Sequence, residues 1–193
     1  MFQLKTFSVE PYDNNVYILS DPSTREALLV DAANDADRIL AELKGLSVSH
    51  ILTTHGHPDH VQALTEVRSA TGALFACHAG DARLMPIKPD LEVKDGDRFS
   101  FGAYELLAIH TPGHTPGSLC FLIGDHLFTG DTLFPGGPGN TSGSGASFPT
   151  IIASIRDRLF SLDGKTRVLP GHGKPTTIGE ERVQLDAWVR RGW

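Results

Sequence analysis

Residues 53–60, Thr-Thr-His-Gly-His-Pro-Asp-His, set three histidines and an aspartate within six positions: His55, His57, Asp59 and His60. Imidazole nitrogens crowded beside a carboxylate are costly to maintain unless something binds them, and this donor mixture suits a first-row divalent metal. Three more donors recur in short motifs: His114 in Thr-Pro-Gly-His-Thr-Pro-Gly, Asp131 in Gly-Asp-Thr and His172 in Pro-Gly-His-Gly. Each follows an apolar, strand-like run, at the loop positions where a rigid scaffold presents chemistry. Seven donors exceed the needs of one tetrahedral ion. They suit two ions about 3.5–4 Å apart, bridged by a carboxylate and a water. Taken singly, His114, Asp131 and His172 would read as turn or capping residues; the combination promotes them.

The remaining ligand types read as structural. Asp31 ends an apolar strand, either as a turn residue or as a support for a metal ligand. His50 precedes an apolar strand, His110 reads as a buried hydrogen-bonded histidine, and His78 and His126 as turn or surface residues. Cys77 and Cys120 lie in apolar runs and read as small core residues.

The elements that must carry these donors follow from periodicity and punctuation. Strands are expected at 2–7, 16–19, 27–30, 49–53, 73–77, 104–109, 119–123, 126–129 and 166–169. Asp13-Asn14-Asn15 reads as a turn, and Lys94-Asp95-Gly96-Asp97 as a hairpin. Helices are expected from a cap at Asn34 or Asp35 to Leu43, after the histidine stretch with Val61, Leu64 and Val67 facing inward to the stop at Gly72, briefly at 80–85 and over 149–162. A closing helix from the capping box Thr177-Ile178-Gly179-Glu180 runs to about Arg190. The Gly/Pro/Ser-rich stretch 134–148 is either a pocket-shaping loop or a disordered surface loop. Strands then helices, in two halves with donors at strand ends, imply two packed sheets with helices outside.

A length of 193 residues supports one domain, 1–193, with a core that needs no staples. The net charge of −6 argues against nucleic acid or an anionic membrane as the main partner. Two cysteines make no disulfide framework, no signal-peptide pattern opens the chain, and no apolar run reaches the length of a membrane span. The expectation is a cytoplasmic protein.

Thr-His-Gly-His-Pro-Asp-His, Thr-Pro-Gly-His-Thr-Pro-Gly-Ser, Phe-Thr-Gly-Asp-Thr-Leu-Phe and Pro-Gly-His-Gly, in this order, resemble the motifs of the metallo-β-lactamase superfamily, most nearly its compact glyoxalase II-like branch. The resemblance covers nearly the whole chain. It implies an α/β fold, the four-layer αβ/βα sandwich of two mixed sheets with helices outside and the site at one edge. It also implies ligand roles. His55, His57 and His114 would hold one metal; Asp59, His60 and His172 the second; Asp131 would bridge. Two divalent ions are expected, zinc foremost, with iron or manganese as alternatives. The implied activity is hydrolysis of a small-molecule thioester such as S-lactoylglutathione or another acyl-thiol through a metal-bridging hydroxide, with Asp59 orienting the nucleophile.

Several departures bear on that reading. Many metallo-β-lactamases use cysteine where this chain has Asp131. The chain ends about twenty residues after His172, without the C-terminal helical region of full-length glyoxalase II. No Lys or Arg lies between Asp131 and Arg156, so glutathione's carboxylates lack an obvious clamp, Lys174 being the one candidate contact nearby. Two rival functions stand. His55, His114 and Asp131 alone form the two-histidine, one-carboxylate triad of an iron oxygenase, as in persulfide dioxygenases. The other is a non-catalytic, metal-stabilised binding module.

Overall fold

The computed structural model describes residues 1–192. Among the described residues, fourteen strands build two six-stranded mixed sheets and a short two-stranded ribbon. The first sheet runs β1 (Gln3–Val9), β2 (Asn14–Ser20), β3 (Glu26–Val30), β4 (Ser47–Leu52), β5 (Leu74–His78) and β6 (Leu91–Val93) in spatial order. Its first two pairings are antiparallel and the other three parallel. Helices α1 (Ala36–Glu42) and α2 (Leu64–Thr71) supply the crossovers into β4 and β5.

The second sheet is ordered β14 (Thr176–Thr177), β13 (Arg167–Pro170), β10 (His126–Gly130), β9 (Leu119–Ile123), β8 (Tyr104–His110) and β7 (Arg98–Phe101). In this sheet β10 and β13 pair in parallel and the other pairings are antiparallel. The ribbon pairs β11 (Leu133–Phe134) with β12 (Gly137–Pro138). Helices α3 (Phe148–Ser154), α4 (Ile178–Arg182) and α5 (Leu185–Arg191) lie in this half.

Strand alternation sorts the apolar side chains into three layers. On β2, Val16 and Ile18 face α1 and α2 with Ile39, Leu64 and Val67, while Tyr17 and Leu19 face the other sheet. On β9, Leu119 and Phe121 join the inter-sheet core, while Cys120 turns outward toward Ile151, Ile155 and Trp188. A period of two in the strands thus demands cover on both faces, which yields the four-layer order helix–sheet–sheet–helix. Each fully buried Leu, Ile or Phe contributes about 1.5–3 kcal/mol of transfer free energy to that packing.

Five expectations need correction. Lys94–Asp97 is not a hairpin: β6 belongs to the first sheet and β7 to the second, so this turn carries the chain between sheets, tied by Lys94 N to Asp97 Oδ2 at 2.7 Å. The true hairpin lies between Phe101 and Tyr104. The helix expected to follow the histidine stretch and carry Val61 on its inner face begins at Leu64, because a single 3₁₀ turn, Pro58–His60, comes first. The helix expected over 149–162 starts at Phe148, capped by Ser147, and loosens into a π turn over Ile155–Leu159, closed by Phe160 N to Ile155 O at 2.9 Å. The closing helix is broken into α4 and α5, although the capping box at its start is real: Thr177 Oγ1 accepts from Glu180 N at 3.2 Å. His110 is half-buried rather than buried; its Nε2 lies 3.0 Å from Pro116 O and its ring stacks on His78 at 4.0 Å.

Among the described residues, no helix is long and apolar enough to cross a membrane.

Candidate metal centre

The donors come from the ends of strands in both sheets. β4 ends at Leu52, and the following loop delivers His55 and His57 before the 3₁₀ turn that carries Asp59 and His60. The turn after β8 delivers His114; β10 ends at Gly130, next to Asp131; β13 ends at Pro170, two residues before His172. Ligands gather outside the carboxyl ends of strands because the loops there can converge across a sheet edge.

The structure brings all seven expected donors together. Three overlapping groups form: His55, His57 and His114; Asp59, His60 and His172; and His55, His60 and Asp131, with the donor atoms in each within 4.8 Å of one another. In the first, His57 Nδ1 lies 3.1 Å from His55 Nε2 and 2.9 Å from His114 Nε2. In the second, His172 Nε2 lies 3.2 Å from His60 Nε2 and 3.3 Å from Asp59 Oδ2. Asp131 sits between them: Oδ1 is 3.4 Å from His60 Nε2, and Oδ2 is 3.6 Å from both His114 and His172 Nε2. Donors around one tetrahedral ion at about 2.1 Å stand about 3.4 Å apart, so these spacings fit metal ligation.

The hydrogen-bond network assigns the tautomers. Asn140 O holds His114 Nδ1 at 2.7 Å, and Tyr12 O holds His172 Nδ1 at 2.8 Å. A carbonyl only accepts, so each Nδ1 carries a proton, and it is the Nε2 of each ring that turns inward, free to offer a lone pair once that nitrogen is deprotonated. Asp31 Oδ2 does the same for His60 Nδ1 at 2.9 Å. Thr54 Oγ1 donates to Asp31 Oδ2 at 2.7 Å, so it accepts from His55 Nδ1 at 3.1 Å. One proton on His57 Nδ1 cannot satisfy both facing lone pairs of the first group, whereas a cation serves all three nitrogens. Asp131 Oδ1 is buried without a hydrogen-bond partner among the described residues, as an atom reserved for a metal would be. A Cβ on Gly171 would meet that oxygen at 2.3 Å, so glycine there keeps the cradle open.

Charge balance points the same way. Burial, with His60 close by, pushes His55 well below the usual imidazole range, and burial also lowers His114. Burial opposes charge on His60 and His172 too. The Asp131 and Asp31 carboxylates around His60, and Asp131 and Asp59 around His172, outweigh it and hold both rings above that range. Burial works against ionised Asp59 and Asp131, yet the surrounding His172 and His60, with Asn14 at Asp59, keep both well below the usual carboxylate range. Two carboxylates here require positive charge, which protons supply where metal ions do not.

Supporting residues were only partly anticipated. Asp31 is buried at positive φ and accepts from Thr54 N at 2.8 Å as well as from Thr54 Oγ1 and His60, the contacts a support for a metal ligand would make. Asn14 and Asn15, expected only as turn residues, open β2 and are buried. Asn14 Nδ2 donates to Asp59 Oδ2 at 2.9 Å, and Asn15 Nδ2 grips Pro170 O and Gly173 O at 3.0 Å each. Burial, then Asp31, raises the Tyr17 phenol, which stays protonated and donates to Pro170 O at 2.6 Å.

Stretch 134–148 is not a free surface loop. Asn140 O holds His114, Glu181 Oε2 accepts from Gly136 N at 2.8 Å, and a Cβ on Gly139 would strike Asp131 O. Residues 138–142 line a cavity of about 550 Å³. On the other flank, a cavity of about 380 Å³ is lined by Tyr12, Pro58, Asp59, Gln62 and His172. Asp59 and His172 keep 25% and 24% side-chain exposure while His60 keeps none, so the centre opens on this flank. Among the described residues, no Lys or Arg lines either cavity, and Lys174 lies exposed beyond His172.

Residues 9–172 match the family model of the metallo-beta-lactamase superfamily. The chain belongs to that superfamily. Its fold is the metallo-β-lactamase fold, and the superfamily is one of metal-dependent hydrolases. It is 34% identical to the probable polyketide biosynthesis zinc-dependent hydrolase BaeB of Bacillus velezensis, over 95% of this chain and 83% of that one. It is 35% identical to the mitochondrial persulfide dioxygenase ETHE1 of Homo sapiens, over 86% of this chain and 68% of that one. Among solved structures, the BLEG-1 B3 metallo-beta-lactamase aligns with a TM-score of 0.88 at 28% identity, covering 94% of this chain and 97% of that chain. TTHA1623 in a di-iron-bound form aligns at 0.80 and 33% identity, covering 92% and 96%.

Proposed function

We propose that the protein is a binuclear metallohydrolase of thioesters, with His55, His57 and His114 as ligands of one ion, Asp59, His60 and His172 of the other, and Asp131 between them. The observation that carries this reading is the completeness of the second triad. The donor atoms of Asp59, His60 and His172 lie within 4.8 Å of one another, as those of the three histidines do, and each has its own backing partner: Asn14, Asp31 and Tyr12 O.

His55, His57, His114, Asp59, His60, His172 and Asp131 would hold two divalent ions, zinc foremost, which would supply an acidified water at neutral pH and Lewis acidity toward the acyl carbonyl. The protein's own groups do the rest. Asp31, Asn140 O and Tyr12 O fix the ring orientations, so the centre is arranged before substrate arrives. Asp59 is the carboxylate at the open flank, placed to orient the nucleophile's proton. Tyr12 and Pro58 offer an apolar wall for the acyl-thiol. A thiol is acidic enough, with a pKa of about 8.5, to leave without a dedicated general acid. The absence of a cation from either cavity lining favours a carrier held by shape and apolar contact over one held by its carboxylates.

Hydrolysis of S-lactoylglutathione and of a carboxylate-free acyl-thiol by zinc-loaded protein tests this reading. Thiol release from one or both supports it, and release from neither overturns it. The likeness to persulfide dioxygenase favours a second reading, in which His55, His114 and Asp131 hold one iron. Oxygen uptake with glutathione persulfide by iron-loaded protein, without thiol release from thioesters, would establish that reading in place of the first.

A further inference from the structure

Asp81 lies outside the donor set, in the 3₁₀ segment Ala79–Leu84 after β5, and its surroundings are unusual for a carboxylate. It is completely buried, and no Lys, Arg or His pairs with it among the described residues. Three donors surround it instead. Oδ2 accepts from Gly56 N at 2.8 Å and Thr115 Oγ1 at 2.6 Å, and Oδ1 accepts from Gly117 N at 2.8 Å.

These donors belong to two loops far apart in sequence. Gly56 is the residue between His55 and His57; Thr115 and Gly117 follow His114 in its turn. One carboxylate therefore clasps the two segments that supply all three nitrogens of the first group. The approach leaves no slack. A Cβ on Gly117 would lie 2.6 Å from Asp81 Cγ, one on Gly80 would lie 3.0 Å from Gly117 N, and one on Gly56 would lie 2.7 Å from Leu84 Cβ. His110 Nε2, 3.0 Å from Pro116 O, braces the same turn from its other side. Asp31, by contrast, holds His60 and, through Thr54, His55. The hydrogen bonds of Asp81 go to the first group's loops and not to Asp59, His60 or His172.

We propose that Asp81 is a positioning residue dedicated to the three-histidine site: it sets the spacing of His55 and His57 against His114, and so the affinity of that site relative to the Asp59–His60–His172 site. The inference rests on the ligand assignment proposed above, not on the substrate. An amide at this position turns its N–H₂ toward either Gly56 N or Gly117 N, both of which can only donate, so Asp81→Asn breaks the clasp with little change in volume.

Metal affinity, read by competition with a chromophoric chelator, tests it in two backgrounds. With His172→Ala weakening the second site, Asp81→Asn should lower the remaining affinity about ten- to hundredfold, the usual effect of losing a group that orients ligands. With His57→Ala weakening the first site, Asp81→Asn should leave the remaining affinity unchanged. Equal losses in both backgrounds, or none in either, overturn the proposal. Thr115→Val, which removes one donor and keeps the carboxylate, should give a smaller loss confined to the first background; loss in the second background alone, or none, counts against the proposal. Circular dichroism of each metal-free variant reports whether it is folded, and if Asp81→Asn is not, the Thr115→Val pair decides. If the parent protein binds no metal, the ligand assignment itself fails, an outcome distinct from a failure of Asp81.

Discussion

Gly171→Ala is the sharpest perturbation available, because it adds one methyl group to the metal cradle and removes nothing. The new Cβ would stand 2.3 Å from Asp131 Oδ1 and 2.7 Å from His60 Cε1, where real Cβ atoms essentially never come within 3.0 Å. The loop cannot simply back away: Gly171 N donates to Gly130 O at 2.8 Å and Gly171 O accepts from Asn15 N at 2.8 Å. Asp131 must retreat by roughly 1 Å to restore ordinary contact. Overpacking of this size costs about 1–3 kcal/mol of stability, which a domain of this length can absorb. Displacement of the shared carboxylate by about 1 Å should lower kcat on the order of a hundredfold. Gly173→Ala is the control. That residue sits at φ +68° with nothing within 4 Å of an added methyl, so the change should cost about 1–2 kcal/mol of backbone strain and leave the centre intact. Thermal unfolding, metal analysis and thioester hydrolysis on both variants give the comparison. Full activity and full metal content in Gly171→Ala, or equal loss of activity in both, would refute the placement of Asp131.

His57→Ala should reduce bound metal from two equivalents to one and suppress hydrolysis; unchanged metal content with surviving hydrolysis would break the two-ion assignment. Asp31→Asn turns an amide toward Thr54 N, Thr54 Oγ1 and His60 Nδ1, and should weaken metal binding about ten- to hundredfold by equilibrium dialysis. Metal uptake should release protons. His60 and His172 are held above the usual imidazole range, so in metal-free protein they retain protons at pH 7 that an incoming ion displaces. Release measured in weak buffer should therefore be clear at pH 7, should shrink as pH rises through those raised values, and should be accompanied by tighter apparent metal binding at higher pH. Uptake without proton release at pH 7 would contradict the charge assignment.

The donors were legible in the sequence because metal ligands need particular side-chain types, and His55, His57, Asp59 and His60 stand too close together to be accidental. The strands that present them were legible for a related reason: runs such as Ala27–Val30 and Leu119–Ile123 are apolar enough to be covered on both faces. The fold class followed from their order. The supports were much less visible. Asp81 is one acidic residue in an ordinary Gly-Asp-Ala context, and its role depends on contacts 25 and 36 residues away. Asn14 and Asn15 carry a turn-like signature, yet their amides are spent on Asp59, Pro170 and Gly173. Lys94–Asp97 misled because a tight turn looks the same whether it joins two strands of one sheet or carries the chain between sheets. The 134–148 stretch reads as loop by composition, and only tertiary contacts with His114, Asp131 and Glu181 reveal that it is held.

Hydrolysis of an acyl-thiol, recorded while metal-free protein is titrated with zinc, tests the central claim most directly. The two-ion centre predicts activity that continues to rise until two equivalents are bound and then saturates. Saturation at one equivalent, or metal binding at two equivalents with no hydrolysis of any acyl-thiol supplied, would contradict it.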